Sequence, residues 1–390
     1  MKNYIFYLSI FLIFLGLGCE KNPIEKTIDC SGTELPSHPK ATNFQAVLKK
    51  YVALGLPGIS ILIRDGNGIW TGSEGFADID ARINMKPCTV SKGASTTKTF
   101  IAALTLLMAD EGKLSLDDKI EKFLPSEVVK NVNNVSESTI RMLLNHTTGI
   151  YDLIDDSGFY LAVLNNPPHN WTPDELIKFV YGDDPVFTAG ADVEYSNTNY
   201  LLLAMILDNV SGGDHGIAMR QKILEPLGLE NTYYYWHDAL PSNVAQGYFD
   251  FYNNGTILNI TNYNTGSGNG YGGMYSTVQD LKIFIEALVR DKTILSQSML
   301  EQMLTFTKED EGYGRANGLG VFKDYLERAP DQYGIGHRGR DLGYTADMYW
   351  FPNQDYTLTY LINYGTDAKS ELRPVFFDFR KEVVDVLMQK

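Results

Sequence analysis

The segment Ser-Thr-Thr-Lys at 95–98 runs directly into Thr-Phe-Ile-Ala-Ala-Leu-Thr-Leu-Leu-Met at 99–108. The second segment is apolar almost all round, and Gly112 follows it, which predicts a buried helix that ends at a glycine. Side chains three residues apart share one helix face, so the Lys98 ammonium can reach the Ser95 hydroxyl. The start of a helix also offers free N–H groups and a positive dipole end to a developing negative charge. The pattern therefore suits a serine nucleophile that forms an acyl-enzyme.

This spacing is not specific by itself. Ser37-His38-Pro39-Lys40 repeats it in a polar, proline-containing tract, where it has no catalytic meaning. A lysine near a helix end can also extend its charge into water without any role in chemistry. The apolar helix after Lys98 distinguishes the two matches, because a charge there needs a partner or water.

On both sides of this helix, the sequence predicts strands near the ends of the folded part and helices between them. Runs at 58–65 and 68–76, joined by Gly-Asn-Gly at 66–68, indicate a tight β-hairpin. We predict helices at 116–123, 139–144, 173–180, 199–210 and 219–227, strands at 318–322, 334–337, 345–351 and 357–364, and a last amphipathic helix at 371–388. This order predicts an α+β fold, an antiparallel sheet flanked by helices with an all-helical subdomain inserted at about 115–265.

Composition excludes two classes of partner. The 390 residues carry 33 Lys and Arg against 48 Asp and Glu, a net charge of −15 that would repel a phosphate backbone. Nucleic acid is therefore not an expected partner. Six His and three Cys occur without an HExxH or CxxC motif, so we expect neither a metal site nor a cofactor.

Residues 1–18 have the layout of a secretory signal peptide. Lys2 precedes an apolar run at 5–17, which is too short to span a bilayer of ~30 Å. Leu-Gly-Leu-Gly-Cys at 15–19 resembles a loose bacterial lipobox, in which the cysteine is diacylated and becomes the new N-terminus. The alternative is an ordinary signal peptide with a cysteine near its end. We expect export and lipid anchoring through Cys19 in the cell envelope, on the periplasmic side of a membrane or at the cell surface.

Residues 19–44 read as a polar, proline-containing tether, and residues 45–390 as the folded domain. Cys30 lies in the tether and Cys88 lies in the domain. In an oxidising compartment the two cysteines can pair and fasten the tether to the domain. Two free thiols are the alternative.

Two further short motifs hold residues of the right chemistry. Tyr195-Ser196-Asn197 precedes an apolar helix; a tyrosine beside a lysine ammonium can have a lowered pKa and move a proton, and the asparagine can hold both a lysine and a substrate amide. Tyr252-Asn253-Asn254 has the same spacing, and Asn197 is equally compatible with a helix cap.

His337-Arg338-Gly339 ends the predicted strand at 334–337 and is followed by Arg340. A glycine there permits close approach of a substrate to the backbone, and an edge-strand N–H can stabilise an oxyanion. This motif is uninformative by itself.

Taken in order, Ser-x-x-Lys at 95–98, Tyr-x-Asn at 195–197 and His-x-Gly at 337–339 resemble the serine β-lactamase and D-Ala-D-Ala peptidase superfamily. The likeness is greatest to the branch of class C β-lactamases, D-alanyl-D-alanine carboxypeptidases and related esterases. Further short segments similar to this family lie at 144–149, 225–229, 247–248 and 272–281. The resemblance runs from about residue 45 to the C-terminus and implies a β-lactamase/transpeptidase-like fold.

In such families the serine is acylated, the lysine and tyrosine act as base and proton relay, and the asparagine orients the substrate. Two backbone N–H groups hold the oxyanion: that of the serine and that of the residue after the third motif. The resemblance thus implies the catalytic residues Ser95, Lys98 and Tyr195. It implies the substrate-binding residues Asn197, His337, Arg338, Gly339 and, through its backbone N–H, Arg340.

One departure from the family pattern concerns the substrate. The second position of the third motif usually carries Thr or Ser, whose hydroxyl helps to bind a carboxylate, whereas this chain has Arg338. If Arg338 faces the pocket, it can bind a free carboxylate bidentately. Adjacent strand residues point to opposite faces, so the alternative is that Arg338 faces away and pairs with an acidic residue.

The resemblance implies a serine hydrolase that cleaves an amide or ester bond, most like a D-alanyl-D-alanine carboxypeptidase. A carboxylesterase or a β-lactamase of the same fold is the enzymatic alternative. A non-catalytic lipoprotein that binds cell-wall peptides is the alternative from another class. The expected partner is a small-molecule or peptide substrate, such as a peptidoglycan stem peptide.

Overall fold

A computed structural model describes residues 38–310 and 314–389. Its main feature is an antiparallel sheet of nine strands, built from both ends of the chain. In spatial order the strands are β3 (Ile83–Asn84), β2 (Gly68–Asp78), β1 (Gly58–Asp65), β14 (Tyr356–Ile362), β13 (Tyr344–Phe351), β12 (Gly334–Asp341), β11 (Phe322–Asp324), β10 (Arg315–Asn317) and β9 (Glu309–Asp310). The predicted α+β class with an antiparallel sheet is confirmed.

Smaller strands and the helices complete the described part. Three strands form a second sheet in the order β4 (Ser91–Ala94), β8 (Met274–Ser276) and β5 (Tyr233–Tyr234), while β6 (Tyr248–Phe249) pairs with β7 (Leu258–Asn259). The α-helices are α1 (Ala41–Ala53), α2 (Thr97–Asp110), α3 (Ser126–Asn131), α4 (Ile140–Leu144), α5 (Ser157–Asn165), α6 (Pro173–Leu176), α7 (Asn197–Ser211), α8 (His215–Met219), α9 (Val278–Ile285), α10 (Gln297–Met303) and α11 (Leu372–Met388).

Alternation along β1 explains why both faces of the sheet are covered. Ile61 and Ile63 point to one face and join the cluster formed with α1 and α11. Leu62 points to the other face and belongs to the larger cluster that contains α2, α7 and α9. In that cluster Phe100 of α2 stacks on Phe284 of α9 with ring centroids 3.6 Å apart. A strand with both faces buried reads as a continuous apolar run, as β1 does.

Several predicted elements are found where the sequence placed them. The hairpin is β1 and β2, and the central apolar helix is α2, whose side chains are almost all buried. The helix predicted at 173–180 begins as α6 with a capping box between Thr172 and Glu175, then tightens to a 3₁₀ helix over Ile177–Val180.

Two predicted elements are wrong. Only a 3₁₀ turn, Ile120–Lys122, occupies the region predicted as a helix at 116–123. The strand predicted at 318–322 is a turn between β10 and β11, in which Gly320 has a φ of +74°. A Cβ on Gly318 would lie 2.4 Å from the carbonyl oxygen of Met303, so the glycines here serve a tight turn and close packing.

The N-terminal predictions lie mostly outside the described residues, Cys19 and Cys30 among them. Cys88 is disulfide-bonded, so it is not a free thiol; its partner lies outside the described residues. Among the helices of residues 38–310 and 314–389, none combines the length and the apolar character needed to cross a bilayer.

Candidate active site

Ser95 lies in the turn between β4 and α2, and this turn is tightly fixed. Ala94 has a φ of +48°, in the left-handed region that residues other than glycine seldom adopt. The Thr97 hydroxyl donates to the Ala94 carbonyl at 2.7 Å and accepts from the Met274 backbone N–H at 2.8 Å. These bonds join the turn to β8 and stabilise a strained backbone just before the serine.

Lys98 stands one turn along α2 and is completely buried. Its Nζ lies 3.2 Å from Ser95 Oγ, 2.7 Å from Asn197 Oδ1 and 2.7 Å from the Tyr271 carbonyl oxygen. The last two atoms can only accept, so they take two N–H groups of the amine and leave its third position facing Ser95.

The electrostatic surroundings make the Lys98 amine a base near neutral pH. Burial lowers the pKa of Lys98 to about 7, against the opposing effect of the Asp152, Asp341 and Asp367 carboxylates. A neutral amine with two protons fixed elsewhere presents its lone pair to Ser95 Oγ. The snorkelling alternative is excluded, because the side chain has no solvent exposure.

Asn197 is the first residue of α7, and its side chain does not cap the helix. Ser196 is the N-cap residue, while the Asn197 amide bridges two groups from other elements. Its Oδ1 accepts from Lys98, and its Nδ2 donates to Asp152 Oδ2 at 2.9 Å. Asn197 therefore belongs to the polar group around Ser95.

Tyr195 is the tyrosine that joins this group. Its ring centroid lies 4.9 Å from Lys98 Nζ, and its hydroxyl is hydrogen-bonded to Ser95. Tyr252, which has the same spacing to an asparagine, is 69% exposed and lies in a turn. Burial raises the pKa of Tyr195 above its usual value, and the Ser95 hydrogen bond opposes this only in part. The expected lowering is therefore wrong: Tyr195 stays a neutral phenol that can donate or relay a proton.

β12 brings the third motif to the site. The strand does not end at His337 as predicted but continues to Asp341. It pairs with β11 only over Gly334–Gly336, and beyond that point it lies against β4. A Cβ on Gly339 would lie 2.0 Å from the Gly93 carbonyl oxygen, so only glycine allows the two strands to approach this closely.

His337 is buried beside Tyr195 and Phe322. Its ring stacks on that of Phe322 with centroids 4.1 Å apart, and Nδ1 is hydrogen-bonded to the Arg338 carbonyl oxygen. Because a carbonyl only accepts, the proton resides on Nδ1 and leaves Nε2 as a lone pair. Burial, with the nearby Lys98, lowers the pKa of His337 well below its usual value, so the ring is neutral.

Arg338 is not brought into this group. Its Nε and Nη2 each donate to Asp324 at 2.6 Å, and Arg380 also pairs with that carboxylate. The expectation that Arg338 binds a substrate carboxylate is replaced by a structural role. Arg340 likewise turns its side chain to Asp347, which leaves its backbone as the part that lies along β12.

Sequence reasoning missed several groups around the nucleophile. Asp152 and the Tyr271 carbonyl contact the Lys98–Asn197 pair, as given above. The His146 ring packs at a tilt against that of Tyr195 with centroids 4.4 Å apart, and its Nδ1 accepts from the Ser196 N–H. Arg315 lies over the same ring at 5.3 Å. His146 lies inside the family-like stretch at 144–149 and Tyr271 directly precedes the one at 272–281. Neither Asp152 nor Arg315 carries a spacing signal.

One group of potential metal ligands occurs among the described residues. Candidate ligand atoms of Asp214, His215 and His237 lie within 4.8 Å of one another. The sequence motifs did not predict this group. Both nitrogens of His215 are hydrogen-bonded within the protein, to Asp208 at 2.7 Å and to the Tyr234 hydroxyl at 3.0 Å. The arrangement is a hydrogen-bonded cluster that connects α7, α8 and the turn after β5.

Comparison with known families agrees with this geometry. The family model described as Beta-lactamase matches residues 44–375, a stretch that includes all three motifs. The chain belongs to this family. Its fold is that of β-lactamases and penicillin-binding proteins, and it is a serine hydrolase.

Similar solved structures include two D-specific enzymes. A D-stereospecific amidohydrolase from Streptomyces sp. is 30% identical with a TM-score of 0.74, and the match covers 84% of this chain and 94% of that one. A D-amino acid amidase from Ochrobactrum anthropi SV3 is 25% identical with a TM-score of 0.77, over 89% of this chain and 97% of that one.

Curated relatives are longer proteins. Penicillin-binding protein 4* of Bacillus subtilis is 27% identical over 329 residues, which is 80% of this chain and 69% of the relative. Protein flp of Staphylococcus aureus is 26% identical over 324 residues, 81% of this chain, and the match spans 61% of that protein.

Proposed function

We propose that this serine hydrolase cleaves the amide bond on the carboxyl side of a D-amino acid residue, through an acyl-enzyme on Ser95. D-alanyl-D-alanine peptides and D-amino acid amides are the two forms of this substrate. The observation that supports the chemistry is the Lys98 amine, whose two acceptors leave its third position facing Ser95 Oγ at 3.2 Å. The similar amidohydrolase and amidase support the D-configuration and the amide bond.

The acylation step uses the groups around Ser95 in order. Lys98 accepts the hydroxyl proton as Oγ attacks the substrate carbonyl carbon. The backbone N–H groups of Ser95 and Arg340 stabilise the oxyanion. The protonated Lys98 then supplies a proton through the Tyr195 hydroxyl to the leaving nitrogen, and the C–N bond breaks. Water hydrolyses the ester with the same groups acting in reverse.

The leaving group is the point on which the two substrate forms differ. A carboxypeptidase must accommodate a free carboxylate on the leaving D-alanine. Arg338, which the sequence predicted to bind that carboxylate, is paired with Asp324. An amidase releases ammonia and needs no such contact. We therefore propose to test both D-amino acid amides and D-Ala-D-Ala peptides as substrates.

A substrate panel followed by intact-protein mass spectrometry tests the proposal. The panel contains a D-Ala-D-Ala stem peptide, a D-amino acid amide with its L-enantiomer, a neutral ester and a chromogenic cephalosporin. We expect turnover of a D-amide or D-peptide with an adduct on Ser95. Ester or cephalosporin turnover alone would support the esterase or β-lactamase alternative, and binding without an adduct would support the non-catalytic one.

Ser95→Ala tests the nucleophile against a matched control. We expect it to lose about 10³-fold or more in turnover, the scale of nucleophile removal. Ser37→Ala changes the serine of the other Ser-x-x-Lys match and should leave turnover unchanged. Adducts that persist in Ser95→Ala would refute the assignment.

We also propose that the enzyme acts in the cell envelope, anchored by lipid on Cys19. The support is the sequence alone: the apolar run at 5–17 and the small residues before Cys19.

A further inference from the structure

A buried carboxylate lies behind Asn197, on the side away from Lys98. Asp152 Oδ2 accepts from Asn197 Nδ2 at 2.9 Å, and Oδ1 accepts from the Ile154 backbone N–H at 3.3 Å. The Leu153 N–H donates to the Thr198 hydroxyl at 2.9 Å, which fastens this segment to the first turn of α7. The carboxylate is thus held in one place relative to Asn197.

Asp152 determines which way the Asn197 amide faces. An asparagine side chain offers a donor at Nδ2 and an acceptor at Oδ1. With Nδ2 bonded to Asp152, Oδ1 must face Lys98 and accept one of its protons. In the reverse orientation Nδ2 would face Lys98, and the lone pair of a neutral amine would turn towards Asn197 and away from Ser95.

We propose that Asp152 is a positioning residue for acylation: it fixes the Asn197 amide and so directs the Lys98 lone pair at Ser95 Oγ. The proposal rests on the proposed function, since it concerns the base of that reaction. The described side-chain hydrogen bonds of Asp152 go to Asn197 and Ile154, so it acts on Ser95 only through Asn197 and Lys98.

The charge of Asp152 gives the proposal a second, measurable consequence. Other charged and titratable groups that act on Lys98 are Asp341, Asp367 and Arg315, while Asp155 acts on Asp152. His146 and His337 also lie close, and burial keeps both rings neutral. Burial raises the pKa of Asp152 to about 7. Once it is ionised, this carboxylate favours the ammonium form of Lys98, so removing the carboxyl group should make the amine lose its proton at lower pH.

Two variants separate orientation from charge. Asp152→Asn keeps an oxygen that can accept from Asn197 Nδ2 and removes the charge. Asp152→Ala removes both. Asp155→Asn is the control for a nearby change of charge, because Asp155 follows in the same 3₁₀ turn, is exposed and makes no hydrogen bond to Asn197 among those described. The measurement is the second-order rate of labelling by a fluorophosphonate, recorded from acid to alkaline pH on the full protein.

In the plot of labelling rate against pH, the rate rises on an acidic limb to a plateau at higher pH. We expect Asp152→Asn to keep most of the plateau rate. Its acidic limb should move to lower pH by about one unit, as for loss of one nearby charge. Asp152→Ala should move the limb likewise and lose about 100-fold of the plateau rate through misorientation. Asp155→Asn should match the parent in both.

Three results would overturn the proposal. One is a limb that stays in place in both variants. Another is an Asp152→Ala plateau equal to that of the parent. The third is an equal plateau loss in Asn and Ala variants with equally lowered melting temperatures, which indicates a structural role alone. Labelling that persists in Ser95→Ala would instead refute the proposed function, so the two failures are distinguishable.

Discussion

Lys98 is the residue whose protonation governs the reaction. It must be neutral to accept the Ser95 proton, and burial lowers its pKa to about 7. The rate of acylation should therefore rise with pH through about 7 and level off above it. Because burial raises the pKa of Tyr195, that residue should cause no fall in rate at moderately alkaline pH.

The pH dependence of kcat/KM on the best substrate of the panel measures this. Lys98→Met serves as the control and should lack the rise as well as the activity. A rise in kcat/KM centred near the ordinary lysine pKa of ~10.4 would show that Lys98 is not the titrating base of lowered pKa.

Arg338 carries a different prediction because it lies in a buried ionic network. Arg338→Ala leaves Asp324 with Arg380, the Tyr349 hydroxyl and the Tyr325 backbone N–H as its remaining described partners. Leaving a buried charge with no partner costs about 3–5 kcal/mol, and because Asp324 keeps Arg380 we expect a loss near or below the lower end of that range. We expect that loss in the free energy of unfolding, measured by urea denaturation, whereas Lys49→Ala on the exposed face of α1 should have little effect.

The same variant, Arg338→Ala, tests whether this arginine binds a carboxylate of the substrate. Its KM for a D-peptide with a free carboxylate and for a neutral amide should change equally, if at all. A selective rise for the carboxylate substrate would return Arg338 to the pocket.

At the scale of elements, sequence patterns predicted what local rules control. Hydrophobic periodicity and turn residues gave α2 and the β1–β2 hairpin, and helix spacing paired Ser95 with Lys98. No local rule connects Asp152 to Asn197, because these residues are brought together by packing of the segment at 151–153 on α7. The choice of Tyr195 over Tyr252 came from family resemblance, and burial is what separates them.

β12 and β4 lie against each other at the site, and Gly339 permits their close approach. In Gly339→Ala the added Cβ would lie 2.0 Å from the Gly93 carbonyl oxygen, which is backbone and cannot turn away. β12 must then move from β4, which displaces the expected oxyanion donor of Arg340. We expect labelling by a fluorophosphonate to slow by about 100-fold, the scale of one oxyanion contact.

Gly66→Ala is the matched control for that change. Gly66 lies in the β1–β2 turn, where a Cβ would meet nothing within 4 Å. Its labelling rate should equal that of the parent. An unchanged rate in Gly339→Ala would mean that the β12–β4 contact does not shape the oxyanion site.

For the whole molecule, the site is built from segments far apart in sequence. β4 and α2 supply Ser95 and Lys98, α7 supplies Asn197, and β12 arrives from near the C-terminus. Lys92 of β4 pairs with Asp341 of β12 at 2.6 Å, and the two side chains are only 8% and 10% exposed. That ion pair fastens the early and late parts of the chain to each other beside the nucleophile.

Attachment of the whole molecule to a membrane should depend on Cys19 alone. A diacylated cysteine contributes two buried chains, and two chains give stable anchoring where one is reversible. The full-length protein expressed in bacteria should therefore enter the detergent phase on Triton X-114 partitioning, with a mass increase on a peptide that begins at Cys19.

Cys19→Ala should enter the aqueous phase. Cys30→Ala, which changes a cysteine without small residues before it, should still enter the detergent phase. A parent protein that is aqueous and begins after residue 19 would refute the lipid anchor, while the Ser95 chemistry would stand unaffected.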